Sequence, residues 1–296
     1  MVKINFNQEL FHKHIEEISK SINRLISDLT IPNECLEHLS EPKEIENILK
    51  ANTFQMKLYI EFFKTTYPDS LEDGKALNRI LREEIFEKEY KNWGSRKRYG
   101  AYYFVKALGL NSCPYCNRNY TFVVDSNNGK LRPEIDHFYP KSIYPFLAMS
   151  FYNLIPSCSI CNHTKSDKVK EDLENPYDIE ANDYCFTYTP QSVEFSVVEK
   201  EKYNFDSFEI AINGNQSNIK LFKLEELYKQ HKDIVLELLI KKAYYPQSYI
   251  EELSKFGFSE DEIYRYLFSN YQQDEDLHKR PLSKLVRDIS QELGLT

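Results

Sequence analysis

No apolar run in the sequence approaches the roughly 18 residues of a membrane span. The first residues, Met1 to Gln8, lack the basic-then-apolar pattern of a secretory signal. No P-loop string occurs. Internal repeats and low-complexity tracts are also missing. These absences point to a globular cytoplasmic protein. Its 296 residues and 41% apolar content are enough for two or three small domains with ordinary cores.

Cysteine is sparse outside one region. Of six cysteines, four form two C-x-x-C pairs, Cys113/Cys116 and Cys158/Cys161, while Cys35 and Cys185 stand alone. In a reducing compartment such pairs imply a metal rather than disulfides. Four thiolates from two short loops can complete the tetrahedral shell of one zinc ion, and a closed shell leaves no open position for substrate. A structural zinc is therefore expected. A redox enzyme, the other common use of C-x-x-C, is disfavoured by the second pair and by the missing βαβ pattern.

Net charge is −8, but it is unevenly spread. Lys88 to Lys170 carries 13 basic against 5 acidic residues, and the remainder 25 against 41. A basic segment coinciding with the cysteine pairs is the footprint expected where phosphates dock. The acidic flanks weaken non-specific attraction to nucleic acid.

The patterning predicts an α+β protein that is mainly α, in three regions. Residues 1–110 read as helical: Ile15, Ile18, Ile22, Leu25, Ile26 and Leu29 recur at helix spacing, and Pro32 follows as a stop. Further helices are expected near 42–50, 53–66, 70–92 and 97–108. His12, His14 and His38 read as surface residues. Residues 111–175 change character: 120–124 is strand-like, 125–129 a turn, 131–138 a returning strand and 162–169 a short helix. In 176–296, strands are expected at 194–198 and 207–212. Helices follow, with Leu224, Leu227, Tyr228, Val235, Leu238 and Leu239 on one stripe and His231 packed among them. A capping box at Ser259–Glu262 opens another helix, and the last helix runs to Glu292.

Between the cysteine pairs stands Asp136-His137, followed by Asn153 and Asn162. A histidine that is neutral near physiological pH can take a proton from water. A neighbouring carboxylate can bind a hard cation. At a strand end both side chains can escape strict alternation and meet one site.

The segments CPYC, IDHFYPKSIYPF and FYNLIPSCSICNHTK, from Cys113 to Lys165, resemble the HNH nucleases of the ββα-metal (His-Me finger) superfamily. The likeness is to the branch in which C-x-x-C pairs bracket the finger. It implies His137 as general base, Asp136 and Asn162 as ligands of one Mg²⁺ or Mn²⁺, and Asn153 as the residue that orients the histidine loop. His163 is the alternative ligand; it lies about 100° from Asn162 on a helix. Lys165, three residues after Asn162, would hold the scissile phosphate or offset transition-state charge. The implied reaction is phosphodiester hydrolysis, with DNA favoured over RNA. A looser likeness in layout is to nuclease subunits of bacterial anti-phage systems, of Septu and retron-associated types, in which an ATPase partner controls the nuclease. The competing reading is a zinc-stabilised binding module without catalysis, which would need only the cysteines and the basic segment.

Overall fold

The computed structural model describes residues 1–169, 172–191, 208–244 and 247–295. The chain forms two compact units that are not consecutive in sequence: Ile4–Leu110 with Thr121–Glu171, and Met1–Lys3 with Asn111–Tyr120 and Asp172–Thr296. Residues 111–120 thus belong to one unit and 121–171 to the other. Mainly helical with small antiparallel sheets, the protein is α+β as its patterning implies. Among the described residues no helix is long and apolar enough to cross a membrane.

The first unit begins with α1 (Gln8–Ser27), opened by Asn7, whose side chain accepts from the Leu10 amide at 2.9 Å. Its buried face is Leu10, His14, Ile15, Ile18, Ile22 and Ile26, one residue every three or four. Then come α2 (Glu34–Leu39), α3 (Glu44–Lys50) and α4 (Thr53–Thr66). The patterning does not reveal α2, a six-residue helix that Asn33 caps through the Cys35 and Leu36 amides. The stretch expected as one helix over 70–92 is divided: α5 (Ala76–Arg79) runs through a π-helical segment, Ile80–Phe86, into α6 (Glu87–Ser95). Helix α7 (Ala101–Leu108) ends at Gly109, whose φ of +67° suits glycine.

The strands depart from the expected hairpin. β1 (Val124–Ser126) pairs only with β2 (Gly129–Leu131), a short exposed ribbon. The returning strand stops at Arg132-Pro133, where proline has no N–H to give a ladder. Pairing resumes in β3 (Glu134–His137), whose partner is β4 (Leu154–Ser157). Helix α8 (Ser159–Lys165) follows and starts before the second cysteine of its pair, earlier than expected. β3, β4 and α8 form a ββα finger backed by the helices of this unit.

His14 is a correction: it is fully buried, not on the surface. Its Nε2–H donates to the Met149 carbonyl at 2.7 Å, and Nδ1 accepts from the Tyr99 hydroxyl at 2.8 Å. Trp93, Phe104 and Phe151 pack around the ring. His12 is exposed and His38 half-buried.

In the second unit, β5 (Cys185–Pro190) pairs antiparallel with β6 (Phe208–Asn213). The strand expected at 194–198 lies outside the described residues. Asn215 caps α9 (Gln216–Leu221). Then follow α10 (Leu224–Tyr228), α11 (Lys232–Tyr244), α12 (Gln247–Lys255), α13 (Glu260–Phe268) and α14 (Ser283–Glu292). The long stripe is broken by a 3₁₀ turn at Lys229–His231. Leu224, Tyr228, Val235, Leu238 and Leu239 are nonetheless buried within the unit. His231 is half-buried rather than packed in the core, and it accepts from Arg118 Nε at 2.8 Å. The capping box forms as expected, with Ser259 and Glu262 bonding reciprocally. α14 lies against β5, where Asp288 accepts from the Phe186 amide.

Burial lowers the His14 pKa from 6.5 to about 4, against the opposing pull of the Met149 carbonyl. Between those values the unfolded chain binds the extra proton, so stability is full above pH 6.5 and falls as pH drops toward 4. In His14→Gln, the loss of unfolding free energy between pH 7 and pH 5 is expected to shrink by about 2 kcal/mol. Chemical denaturation at the two pH values measures it.

Candidate functional site

β3 places Glu134 and Asp136 two residues apart, hence on one face. His137 is the last residue of the strand, paired with Leu154. Asp136 and His137, although consecutive, both line one cavity of about 410 Å³, together with Tyr90, Lys141, Asn162 and His163. All six belong to the first unit.

His137 is buried, and its Nε2 lies 3.0 Å from the Ala148 carbonyl. A carbonyl only accepts, so Nε2 carries the proton and Nδ1 keeps the lone pair. Burial first, then the Lys141 charge, lowers its pKa to about 3. The ring therefore stays neutral. Tyr90 packs edge-on to it with centroids 4.7 Å apart.

The loop after His137 is held by Asn153, which is fully buried. Its Oδ1 accepts from the Tyr139 amide at 2.6 Å, while Nδ2 donates to the Tyr139 carbonyl at 3.0 Å and the Leu147 carbonyl at 2.8 Å. Its backbone carbonyl accepts from the Phe138 amide at 2.9 Å.

Lys165 is 1% exposed. Its ammonium lies 3.2 Å from each oxygen of Asp136, and it donates to the His137 carbonyl at 2.6 Å. The cation thus compensates a carboxylate that is itself buried, where an unpaired charge is costly. It also ties the end of β3 to α8.

Asn162 and His163 diverge as helix geometry requires. Asn162 is half-buried and donates from Nδ2 to Glu134 Oε2 at 2.6 Å. His163 is exposed, its Nε2 3.9 Å from Glu134 Oε1. For a divalent cation, the Asp136 carboxylate and the Asn162 amide oxygen are a fitting hard-donor pair in one cavity. Glu134, Tyr90 and Lys141 went unnoticed in the sequence. The two-residue step from Glu134 to Asp136 was the one signal available for the first.

The cysteines form the second feature. Asn117 N–H donates to the Cys113 carbonyl at 2.7 Å, closing a tight turn in which Asn117 has φ +48°. The Arg118 amide and the Asn119 side chain both donate to Cys116 Sγ. Tyr228 donates to the Cys116 carbonyl at 2.6 Å. Cys158 caps α8 with extended backbone, and Cys161 lies one turn in. Cys113 and Cys116 belong to one unit and Cys158 and Cys161 to the other, and all four thiols are buried. Four cysteine donors, with N–H groups aimed at one sulfur, fit a structural zinc. Cys35 lies elsewhere, its thiol pushed up to about 12 by burial.

The chain is 38% identical over 98 residues to the Septu protein PtuB of Bacillus thuringiensis. The aligned part is 32% of this chain and 35% of that protein, so the chain spans about a third of the relative it matches. No family model and no solved structure matches.

Two outcomes are expected. Elemental analysis finds one zinc per chain, and Cys161→Ser loses it together with several degrees of melting temperature. Asn153→Ala strands three buried backbone groups and lowers unfolding stability by about 3 kcal/mol, measured by denaturant titration.

Proposed function

We propose that the chain is a metal-dependent endonuclease that hydrolyses phosphodiester bonds, with DNA the favoured substrate. The observation that carries this is the meeting, in one cavity, of a neutral buried histidine, a carboxylate and an amide. These are the residues that the HNH likeness designates.

The chain's own residues do the following work. His137 presents Nδ1 toward the cavity as the acceptor of a proton from water, because Nε2 is committed to Ala148. Asn153 holds the loop that fixes this tautomer and ring position. Lys165 holds the Asp136 carboxylate in place. Asp136 and Asn162 would hold Mg²⁺ or Mn²⁺, which when bound supplies positive charge to the phosphate and to the leaving 3′ oxygen. Lys141, at the cavity wall, adds charge of the sign that a phosphate needs. The products expected from the likeness carry 5′-phosphate and 3′-hydroxyl ends.

The cellular role we assign is anti-phage defence, with a separate ATPase chain as controlling partner. The partial identity to a Septu protein supports it.

His137→Ala is expected to lower cleavage of plasmid DNA in Mg²⁺ by about 10²–10⁴-fold while zinc content and circular dichroism stay as in the wild type. Cleavage at the wild-type rate would overturn His137 as the base and the HNH reading with it, whereas a wild-type chain that cuts nothing with or without Mg²⁺ would leave the binding-module reading. For control, the isolated chain is expected to cut weakly and a co-expressed partner to change its rate or substrate choice. Strong, indiscriminate cutting by the lone chain with no partner recovered in a pull-down would remove the ATPase while leaving the nuclease.

A further inference from the structure

We propose that Glu134 is a positioning residue for the cation site: it turns the Asn162 side-chain amide so that the oxygen, not the nitrogen, is offered alongside Asp136. The proposal rests on the metal-dependent reading above and names a residue that the HNH likeness did not assign.

An asparagine amide is two-faced. Its NH₂ end donates, its oxygen accepts, and the two orientations have nearly the same shape. A divalent cation accepts only the oxygen. Something must therefore choose the orientation before the cation arrives, or part of the binding energy goes into choosing it. Glu134 is built to choose. Its carboxylate has no donor when ionised, so the contact of 2.6 Å with Asn162 requires the amide nitrogen. A half-turn of the amide would set oxygen against oxygen at that distance. The bond is short and charge-assisted, the stronger kind. With nitrogen committed to Glu134, Oδ1 is the end of the amide left for the cavity that Asn162 shares with Asp136.

The fold supplies the arrangement through register. Glu134 pairs across the sheet with Ser157, next to Cys158, which caps α8. Asn162 lies one turn into that helix, its backbone N–H donating to the Cys158 carbonyl at 3.0 Å. The first residue of β3 thus faces the first turn of α8, and Asp136, two residues on, faces the same cavity. The alternative ligand is served differently: His163 Nε2 stands 3.9 Å from Glu134, beyond hydrogen-bond length, and its side chain is 77% exposed. Glu134 thus prepares Asn162 and leaves His163 free to turn. The Glu134 side chain is itself 39% exposed, so its replacement opens no core cavity.

The test uses the purified full-length chain with its zinc retained, and Mn²⁺ alone as probe. Binding is followed by the loss of the free-ion electron paramagnetic resonance signal. Glu134→Leu is expected to weaken Mn²⁺ binding by about tenfold, the usual effect of removing an outer hydrogen-bond partner, with melting temperature unchanged. Glu134→Gln, whose amide oxygen still accepts from Asn162, is expected to stay within about threefold of wild type. In an Asn162→Asp background, Glu134→Leu is expected to cost about threefold or less, because a carboxylate offers oxygen whichever way it turns. An equal loss from Glu134→Leu in both backgrounds, or from Gln as from Leu, would overturn the proposal and make Glu134 a direct ligand or a bare charge. Unchanged binding in Glu134→Leu would overturn it too. A wild-type chain that takes up no Mn²⁺ overturns the metal assignment beneath it, a failure seen before any Glu134 variant is measured.

Discussion

The connection from β3 to β4 turns inward, and its peptide groups must be bonded away from water. One side chain does most of this. Asn153 accepts from one amide of that loop and donates to two of its carbonyls, and its own carbonyl takes a fourth group. A buried donor or acceptor left unpaired costs about 1–3 kcal/mol, so the loop has little freedom once Asn153 is in place. The position of the Ala148 carbonyl follows, and with it the tautomer of His137. The reactive nitrogen of the candidate base is thus chosen by a loop carbonyl eleven residues away in sequence.

Charge inside the finger obeys the same economy. Asp136 is buried, and such a carboxylate is tolerated only beside a counter-charge. Lys165 provides it, although it comes from the far end of α8. By also taking the His137 carbonyl, that lysine couples the strand end to the helix that carries Asn162 and His163. The cavity is exposed along His163, Ser166 and Asp167, with Lys141 half-buried at its wall.

Some features were legible in the sequence because their signals are local. The apolar stripe of α1, the capping box at Ser259 and the helices at 44–50, 53–66 and 283–292 follow from periodicity and end signals within a single segment. The cysteine pairs were legible for a similar reason: ligand spacing is a property of a short turn. His14 was misread because its neighbours Tyr99 and Met149 are distant in sequence, and a histidine in the first turns of an amphipathic helix looks solvated. The hairpin was misread because strand-like composition in 120–124 does not say which strand is its partner, and Pro133 divides the returning segment.

The sequence by itself determined the chemistry available: four thiols in metal spacing, a carboxylate beside a histidine, two asparagines downstream, and a basic segment between acidic flanks. Tertiary structure alone decided how those groups are used. Strand register brought Glu134 to Asn162, the turn of α8 carried Lys165 into the interior against Asp136, and the fold of the loop set His137 against Ala148. The physical reason is that residue type states which bonds a group can make, while the choice among them depends on which partners burial places within 3 Å.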